Sequence, residues 1–247
     1  MKRIANILVL FILCLPFAAK GQTHEVGAVV GAEYEKKVVK GLQFSLDGQL
    51  RFNQNFANFD RLRVGAGMDY TFWKKRLKVG AAGFYLLGDK GSYYEHRGRV
   101  QATLSYTERI QQFKIGVRAR VQSTFYDERR GTHKFNPKTY FRGRFQFEYD
   151  FFSKPVKLFA STEFFLRLYK KDNYIVDNFR TMVGCTYKLT QGSSLTFSFR
   201  SDNEIQVKNP ENIYYFCIGY NFKHSCRSKT VYVRTKSPIC WMRSSSC

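Results

Sequence analysis

The sequence predicts an all-β protein, an antiparallel transmembrane β-barrel of about ten strands, within a range of about eight to twelve. Large apolar residues alternate with polar ones over segments of about 10–14 residues. That is longer than the ~5–6 residues of a usual soluble strand and suits the ~9–11 residues of a tilted membrane strand. The chain has 24 Phe and 16 Tyr, an aromatic content that suits the girdles of a lipid-facing surface. Only five Pro residues leave the long strands uninterrupted.

An export signal is predicted at residues 1–21. Lys2 and Arg3 precede an apolar run, and Gly21 and Gln22 mark the expected cleavage site. The apolar run is short for a spanning helix, and no later stretch approaches the roughly eighteen apolar residues that such a helix needs. We therefore expect an exported protein, either a soluble β-protein or a membrane β-barrel in the outer membrane.

Period-two alternation places the strands. In "LQFSLDGQLRF", Leu and Phe residues fall on one face, and Gln, Ser, Asp and Arg residues fall on the other. The same pattern predicts ten strands at residues 41–53, 60–72, 76–87, 96–107, 111–124, 138–151, 155–169, 177–189, 193–206 and 212–223. Short turns alternate with longer polar links between them, as in barrels with short periplasmic turns and longer external loops. Residues 41–223 are thus expected to form the barrel, with both chain ends in the periplasm.

Residues 22–40 are harder to interpret. The stretch Glu25–Lys37 also alternates like a strand, and a short turn at 38–40 joins it to the first predicted strand. It is consistent with an N-terminal strand, a periplasmic segment, a plug, or one member of a twelve-strand barrel. The even strand number of single-chain bacterial barrels favours ten strands without it.

The last predicted strand is "IYYFCIGYNFKH". Its large apolar residues alternate, as a strand with one face toward lipid requires. They are Tyr214, Phe216, Ile218, Tyr220 and Phe222. The final aromatic residue resembles the C-terminal signal that barrel-assembly machinery recognises, so this machinery is an expected partner. The basic, Cys-containing tail at residues 224–247 continues past the signal and is expected to be disordered.

A soluble β-sandwich or lipocalin-like barrel would also alternate. Its apolar face would point inward, however, where so many Phe and Tyr side chains would have to share a limited core. The polar face here is rich in Arg, which favours a barrel with its apolar face outward.

The stretch Glu35–Tyr70 resembles a known family. It contains "RFN" at Arg51–Asn53 and "FDR" at Phe59–Arg61, and "KIGVRARVQ" and "VGCTYKLTQGSSLTFSFR" follow further along. These stretches resemble the Bacteroidota outer-membrane proteins labelled "domain of unknown function 2490". The resemblance extends over roughly residues 25–222. It implies an outer-membrane barrel and implies no activity or catalytic residue.

The inner face of the predicted barrel is basic, in a chain of formal net charge +22. Alternation places twelve basic residues there: Arg51, Arg61, Arg63, Arg99, Lys114, Arg118, Arg120, Arg142, Arg144, Arg167, Arg180 and Arg200. Five carboxylates share this face: Asp47, Asp69, Glu148, Asp150 and Glu163. Arg–carboxylate pairs can fill a small lumen. Rings of Arg and Lys can also select anions. Both interpretations remain open at this stage.

The expected function is an outer-membrane barrel that is structural or forms a narrow anion-preferring channel. The alternatives are a rim enzyme acting on lipid or peptide and a soluble periplasmic β-protein that binds an acidic ligand. Catalysis would need a nucleophile and a base. His24, His96, His133 and His224 lie in no such motif, so no catalytic residue is predicted and an enzyme is disfavoured.

Metal and cofactor sites are not predicted, because the Cys spacings do not match metal-binding patterns. The expected partners are outer-membrane lipid, including lipopolysaccharide at Arg129, Arg130 and Lys134, and no nucleic acid. The sequence leaves the solute and the oligomeric state open.

Overall fold

The structure, a computed structural model, describes residues 23–54, 56–126, 137–152, 154–168, 175–189, 192–205 and 211–224. The expected export signal, the tail beyond His224 and His133 lie outside these ranges. Eleven strands occur in the described part of the chain: β1 Thr23–Val39, β2 Leu42–Asn53, β3 Asn58–Phe72, β4 Leu77–Asp89, β5 Tyr94–Ile110, β6 Phe113–Tyr126, β7 Lys138–Asp150, β8 Val156–Arg167, β9 Ile175–Lys188, β10 Ser193–Glu204 and β11 Glu211–His224.

These strands close into one barrel, which confirms the predicted fold class. Each strand pairs antiparallel with the next one along the chain, and β1 completes the wall by pairing with β11 in parallel. The closing register sets Thr23 opposite Glu211 and Lys36 opposite His224.

The expected even strand count is wrong, because Thr23–Val39 is a wall strand of the barrel. When an up-and-down sheet with an odd number of strands closes, its first and last strands run in the same direction. Thr23 and His224 therefore lie at opposite rims, and the expectation of two ends on one side is also wrong.

The links between strands differ in length at the two rims. At the short-turn rim, where β1, β3, β5, β7 and β9 end, two to five residues separate each strand from the next. At the long-link rim, where β2, β4, β6, β8 and β10 end, four to eleven residues separate them. Shorter and longer intervals alternate as predicted, although most of the predicted links at 126–137, 170–176 and 208–211 lie outside the described ranges.

The outer surface of the barrel is apolar. In β6, the outward residues Phe113, Ile115, Val117 and Val121 are 38–44% exposed, while the residues between them point inward. Water-exposed apolar area costs about 25 cal/mol per Å² relative to burial. A continuous exterior of this kind is therefore suited to contact with lipid.

Aromatic pairs lie on the exterior toward both rims. Ring centroids lie 5.8 Å apart for Tyr34 and Phe222, near the short-turn rim, and 6.4 Å apart for Phe56 and Phe216, toward the long-link rim. Amphipathic rings concentrate where a membrane meets water. No helix within the described ranges is long and apolar enough to span a membrane.

Candidate functional site

The barrel encloses a cavity of about 560 Å³. Ten arginines line it, namely the predicted inward arginines other than Arg167. One lysine and four carboxylates also line it: Lys78, Glu33, Asp47, Asp69 and Glu163. The wall of the cavity therefore has an excess of positive charge. We refer to the ten arginines as the arginine cluster.

Two of the predicted inward residues lie outside the cavity lining. Lys114 is the second residue of β6, near the short-turn rim, and its Nζ donates to Glu148 Oε2 at 3.0 Å. Arg167 is the last residue of β8, at the long-link rim.

One buried carboxylate neutralises part of the arginine cluster. Glu163 is only 4% exposed. Its Oε1 accepts a hydrogen bond from Arg118 at 3.0 Å, and its Oε2 accepts one from Arg142 at 2.8 Å. Arg180 Nη1 lies 3.9 Å from Glu163 Oε2. Its Nε and Nη2 donate to Asp202 Oδ1 and Oδ2 at 2.6 and 2.8 Å. Charge-assisted bonds of this kind hold the guanidinium groups in defined positions.

Two inward aromatic rings carry arginines on their faces. The guanidinium carbons of Arg51 and Arg200 lie 4.7 and 4.2 Å from the centroid of the Tyr215 ring. Arg142 and Arg180 lie 4.2 and 4.9 Å from the Phe165 ring. Such cation–π contacts strengthen when the groups are desolvated.

Tyr215 is fully buried, and its hydroxyl donates to Asn53 Oδ1 at 3.0 Å. A Cβ atom at Gly27 would lie 2.8 Å from the Tyr215 ring and 2.3 Å from the carbonyl oxygen of Phe52. Only glycine fits at this position on β1. The lumen is therefore tightly packed next to β1, β10 and β11.

A second group of arginines has hydroxyl partners in place of carboxylates. Arg99 Nε donates to Thr124 Oγ1 at 3.2 Å, and Arg120 Nε donates to Thr103 Oγ1 at 3.2 Å. Arg144 Nη2 donates to Ser161 Oγ at 2.9 Å. Neither these three arginines nor Arg61 form an ion pair with any described carboxylate. Glu163 still attracts Arg120 and Arg144 electrostatically, but no described carboxylate lies within ion-pair distance of these four arginines.

Lysines form a separate ring at the short-turn rim, within two residues of the strand ends: Lys78, Lys114, Lys157, Lys188 and Lys223. Each has a carboxylate partner: Lys78 with Asp69 at 2.8 Å, Lys114 with Glu148 at 3.0 Å, Lys157 and Lys188 with Asp150 at 3.4 and 3.3 Å, and Lys223 with Glu35 at 2.6 Å. The arginine cluster instead lies toward the long-link rim or near strand centres. The two ends of the interior thus differ in net charge.

The sequence interpretation missed the aromatic rings and the hydroxyls that position the arginines. Alternation places Phe165 of β8 and Tyr215 of β11 at inward positions. Apolar rings at inward positions, paired with arginines on adjacent strands, were the available signal. Thr103, Thr124 and Ser161 carried no comparable signal.

Other chemistry is sparse in the described residues. They contain no group of three or more His, Cys, Asp and Glu residues that could hold a metal ion. Cys185 and Cys217 are free thiols. His96, at the start of β5, shares a hydrogen bond with the hydroxyl of exposed Tyr85.

Several solved structures resemble the fold at low identity. The anion-selective porin from Comamonas acidovorans is 10% identical with a TM-score of 0.36, over 75% of this chain and 54% of that chain. The outer-membrane expressed OmpT of Vibrio cholerae is 12% identical with a TM-score of 0.37, over 66% and 54%. The in-vitro folded OmpT of Vibrio cholerae is 10% identical with a TM-score of 0.33, over 76% and 93%. The chain spans about half the length of the first two.

No curated protein matches the sequence. A family model described as "Protein of unknown function (DUF2490)" matches residues 30–212, which is most of the barrel.

Proposed function

Because the chain belongs to the DUF2490 family, whose description assigns no activity, we propose a function from the barrel itself. The protein is an outer-membrane β-barrel whose basic interior forms a narrow, anion-preferring path. Outer-membrane lipid surrounds it, and barrel-assembly machinery recognises its closing strand.

The apolar exterior supports the membrane location. Many outward residues along the strands are large and exposed, and aromatic pairs lie toward both rims. The strands contain 12 to 17 residues, enough to cross a bilayer at a tilt. The predicted export signal at residues 1–21 is consistent with delivery to the outer membrane.

The charge of the cavity wall carries the proposal. Ten arginines and one lysine face four carboxylates around the cavity. Rings of basic side chains attract anions and exclude cations, and low-dielectric walls focus the field into the lumen. Arginine keeps its charge at any physiological pH, so this preference does not depend on proton uptake.

The packing of the interior supports a narrow path. Tyr215, Arg200 and Asp202 are buried next to the seam between β1 and β11. The remaining space is about 560 Å³, far below the aqueous channel of a porin with 16 to 18 strands. Small inorganic or organic anions match this space better than large solutes.

A structural role without conduction is the second candidate. The pairs around Glu163 and Asp202 and the rings of Phe165 and Tyr215 join strands that are adjacent, or one strand apart, in the barrel wall. A lumen filled by such contacts can stiffen the wall and conduct nothing.

Planar-bilayer recording separates the two candidates. The refolded full chain, first shown to have the heat-dependent gel shift of a folded barrel, is placed in a KCl gradient. We expect discrete steps and a reversal potential that shows anion preference. The double variant R99Q/R120Q removes two charges without leaving a carboxylate unpaired, and it should reduce that preference.

The control is Lys114→Gln, which removes a charge from the lysine ring. It should keep the anion preference of the parent protein. A folded barrel that conducts nothing would reject the path and support the structural role. Cation-preferring steps would reject the charge argument.

A further inference from the structure

We propose that the cavity holds a binding site for a small multivalent oxyanion of the phosphate class, built on Arg120 and Arg144. The inference deepens the proposed function and rests on it only in requiring that solute anions reach the interior. The bound molecule is a solute rather than a lipid headgroup, because these side chains line the inside of the barrel.

The first support is charge without an ion-pair partner. Arg120 and Arg144 are half-buried and form no ion pair with any described carboxylate. The neighbouring Arg118 and Arg142 share Glu163, so this carboxylate is already engaged. A half-buried charge without a partner is costly, and an anion between the guanidinium groups would offset that cost.

The second support is orientation. Thr103 holds Arg120 through its Nε, and Ser161 holds Arg144 through its Nη2. These bonds fix each planar group while leaving its other N–H donors without a partner among the described residues. The Nε of Arg144 is buried and has no hydrogen-bond partner there. Guanidinium forks held in this way match the paired oxygens of phosphate.

The third support is proximity. Arg120 on β6 lies opposite Arg142 on β7, and Arg144 is the next inward residue of β7. Diagonal neighbours of this kind on one sheet face lie roughly 7–8 Å apart, within reach of long side chains. Arg99 on β5 lies four residues nearer the long-link rim than Thr103, the register partner of Arg120, so it stands outside this site.

The fourth support is space. Arg120 and Arg144 both line the cavity of about 560 Å³, which has room for a small oxyanion. A multivalent oxyanion there could contact both guanidinium groups at once, whereas chloride offers no paired oxygens for a fork.

Calorimetric titration of inorganic phosphate into the detergent-folded full chain tests the proposal, with NaCl as buffer salt and nitrate as a monovalent oxyanion for comparison. We expect saturable phosphate binding at least tenfold tighter than nitrate binding. Arg120→Gln and Arg144→Gln should each weaken it about tenfold. Arg120→Lys, which keeps the charge and loses the fork, should fall between the parent protein and Arg120→Gln.

Lys114→Gln is the matched control, because it lies six residues from Arg120 on the same strand. At about 3.4 Å per residue this is roughly 20 Å, beyond the ~10 Å Debye length at 0.1 M salt. It should bind phosphate as the parent protein does. Equal losses in Lys114→Gln and Arg120→Gln would overturn the site, as would phosphate binding no tighter than nitrate binding.

The titration measures phosphate binding and needs no ion current, so its outcome is independent of the bilayer recording that tests the conducting path. A barrel that is silent in a bilayer but binds phosphate would retain the site and lose the path. A conducting barrel that does not bind phosphate would retain the path and lose the site.

Discussion

Glu163 on β8 and Arg142 on β7 form a buried ion pair, with Arg142 Nη2 donating to Glu163 Oε2 at 2.8 Å. Their side chains are only 5% and 8% exposed. The same carboxylate accepts a bond from Arg118 on β6, so it joins three adjacent strands from inside the barrel. The stability of this part of the wall should depend on that one carboxylate.

Glu163→Gln keeps the shape of the side chain and removes its charge. Breaking a buried pair from one side leaves the partner charges unpaired, and we expect the free energy of unfolding to fall by about 3–5 kcal/mol. Urea unfolding followed by intrinsic fluorescence measures this change. Glu108→Gln, which removes the partner of Arg76 at the short-turn rim, should cost less than about 1 kcal/mol. Similar losses in both variants would contradict a special role for Glu163.

Tyr215 provides a ring and a hydroxyl with separable effects. Tyr215→Phe loses only the hydrogen bond to Asn53, and unfolding should become easier by about 1 kcal/mol. Tyr215→Leu also loses the ring between Arg51 and Arg200, for a total of about 3 kcal/mol. The same unfolding measurement applies. Tyr220→Leu, on the outer face, should change stability little. If Tyr215→Leu were as stable as Tyr220→Leu, the packing of Arg51 and Arg200 on the Tyr215 ring would be contradicted.

The parallel pairing of β1 with β11 can be tested with the native thiol of Cys217. Val29 of β1 is the register partner of Cys217 of β11. Paired strands lie about 4.8 Å apart, within the ~4.4–6.8 Å Cα separation that a disulfide needs. With every other cysteine changed to serine, Val29→Cys should form a disulfide under mild oxidation, seen as altered mobility in a denaturing gel.

Gly31→Cys is the control for that cross-link, because its register partner is Gly219 rather than Cys217. It should cross-link much less. Equal cross-linking would mean a different register, and no cross-linking in either variant would mean that β1 does not close the wall.

Trp73 reports on the membrane boundary. It is 60% exposed on the outer surface, and its ring lies 6.2 Å from that of Tyr106. In a Trp241→Phe background, Trp73 is the sole tryptophan, and lipids brominated near the headgroup should quench it more than lipids brominated at the chain ends. Phe145→Trp, at the middle of β7, should show the opposite order when it is the sole tryptophan. Strong quenching of both positions by aqueous iodide would contradict a lipid-facing exterior.

Period-two alternation predicted strands β2 to β11 because the two faces of this wall meet different media. β1 shows the limit of the pattern. Near the long-link rim its inward positions are the uncharged Gly27, Val29 and Gly31, since Tyr215 and neighbouring side chains already fill the lumen there; the charged Glu33 lines the cavity further along. The expectation of an even strand number then outweighed a strand signal that was present in the sequence.

The internal contacts of the lumen could not be predicted from the sequence. Alternation places Arg118, Arg142 and Glu163 inside, but the two arginines lie 45 and 21 residues from their shared carboxylate. Strand register and side-chain length decide which arginines lie within reach of a carboxylate on a nearby strand. The hydroxyl partners of Arg99 and Arg120 follow from the same register.

The separation of arginines and lysines along the axis makes the interior electrically asymmetric. An anion entering from the long-link rim meets strongly positive walls first, whereas one entering from the short-turn rim first crosses a ring where five lysines are paired with four carboxylates. Graded fixed charge biases ion movement by direction. Any current through this barrel should therefore rectify, so that its magnitude differs at equal and opposite voltages. The voltage sign that gives the larger current would depend on the orientation of the protein in the membrane.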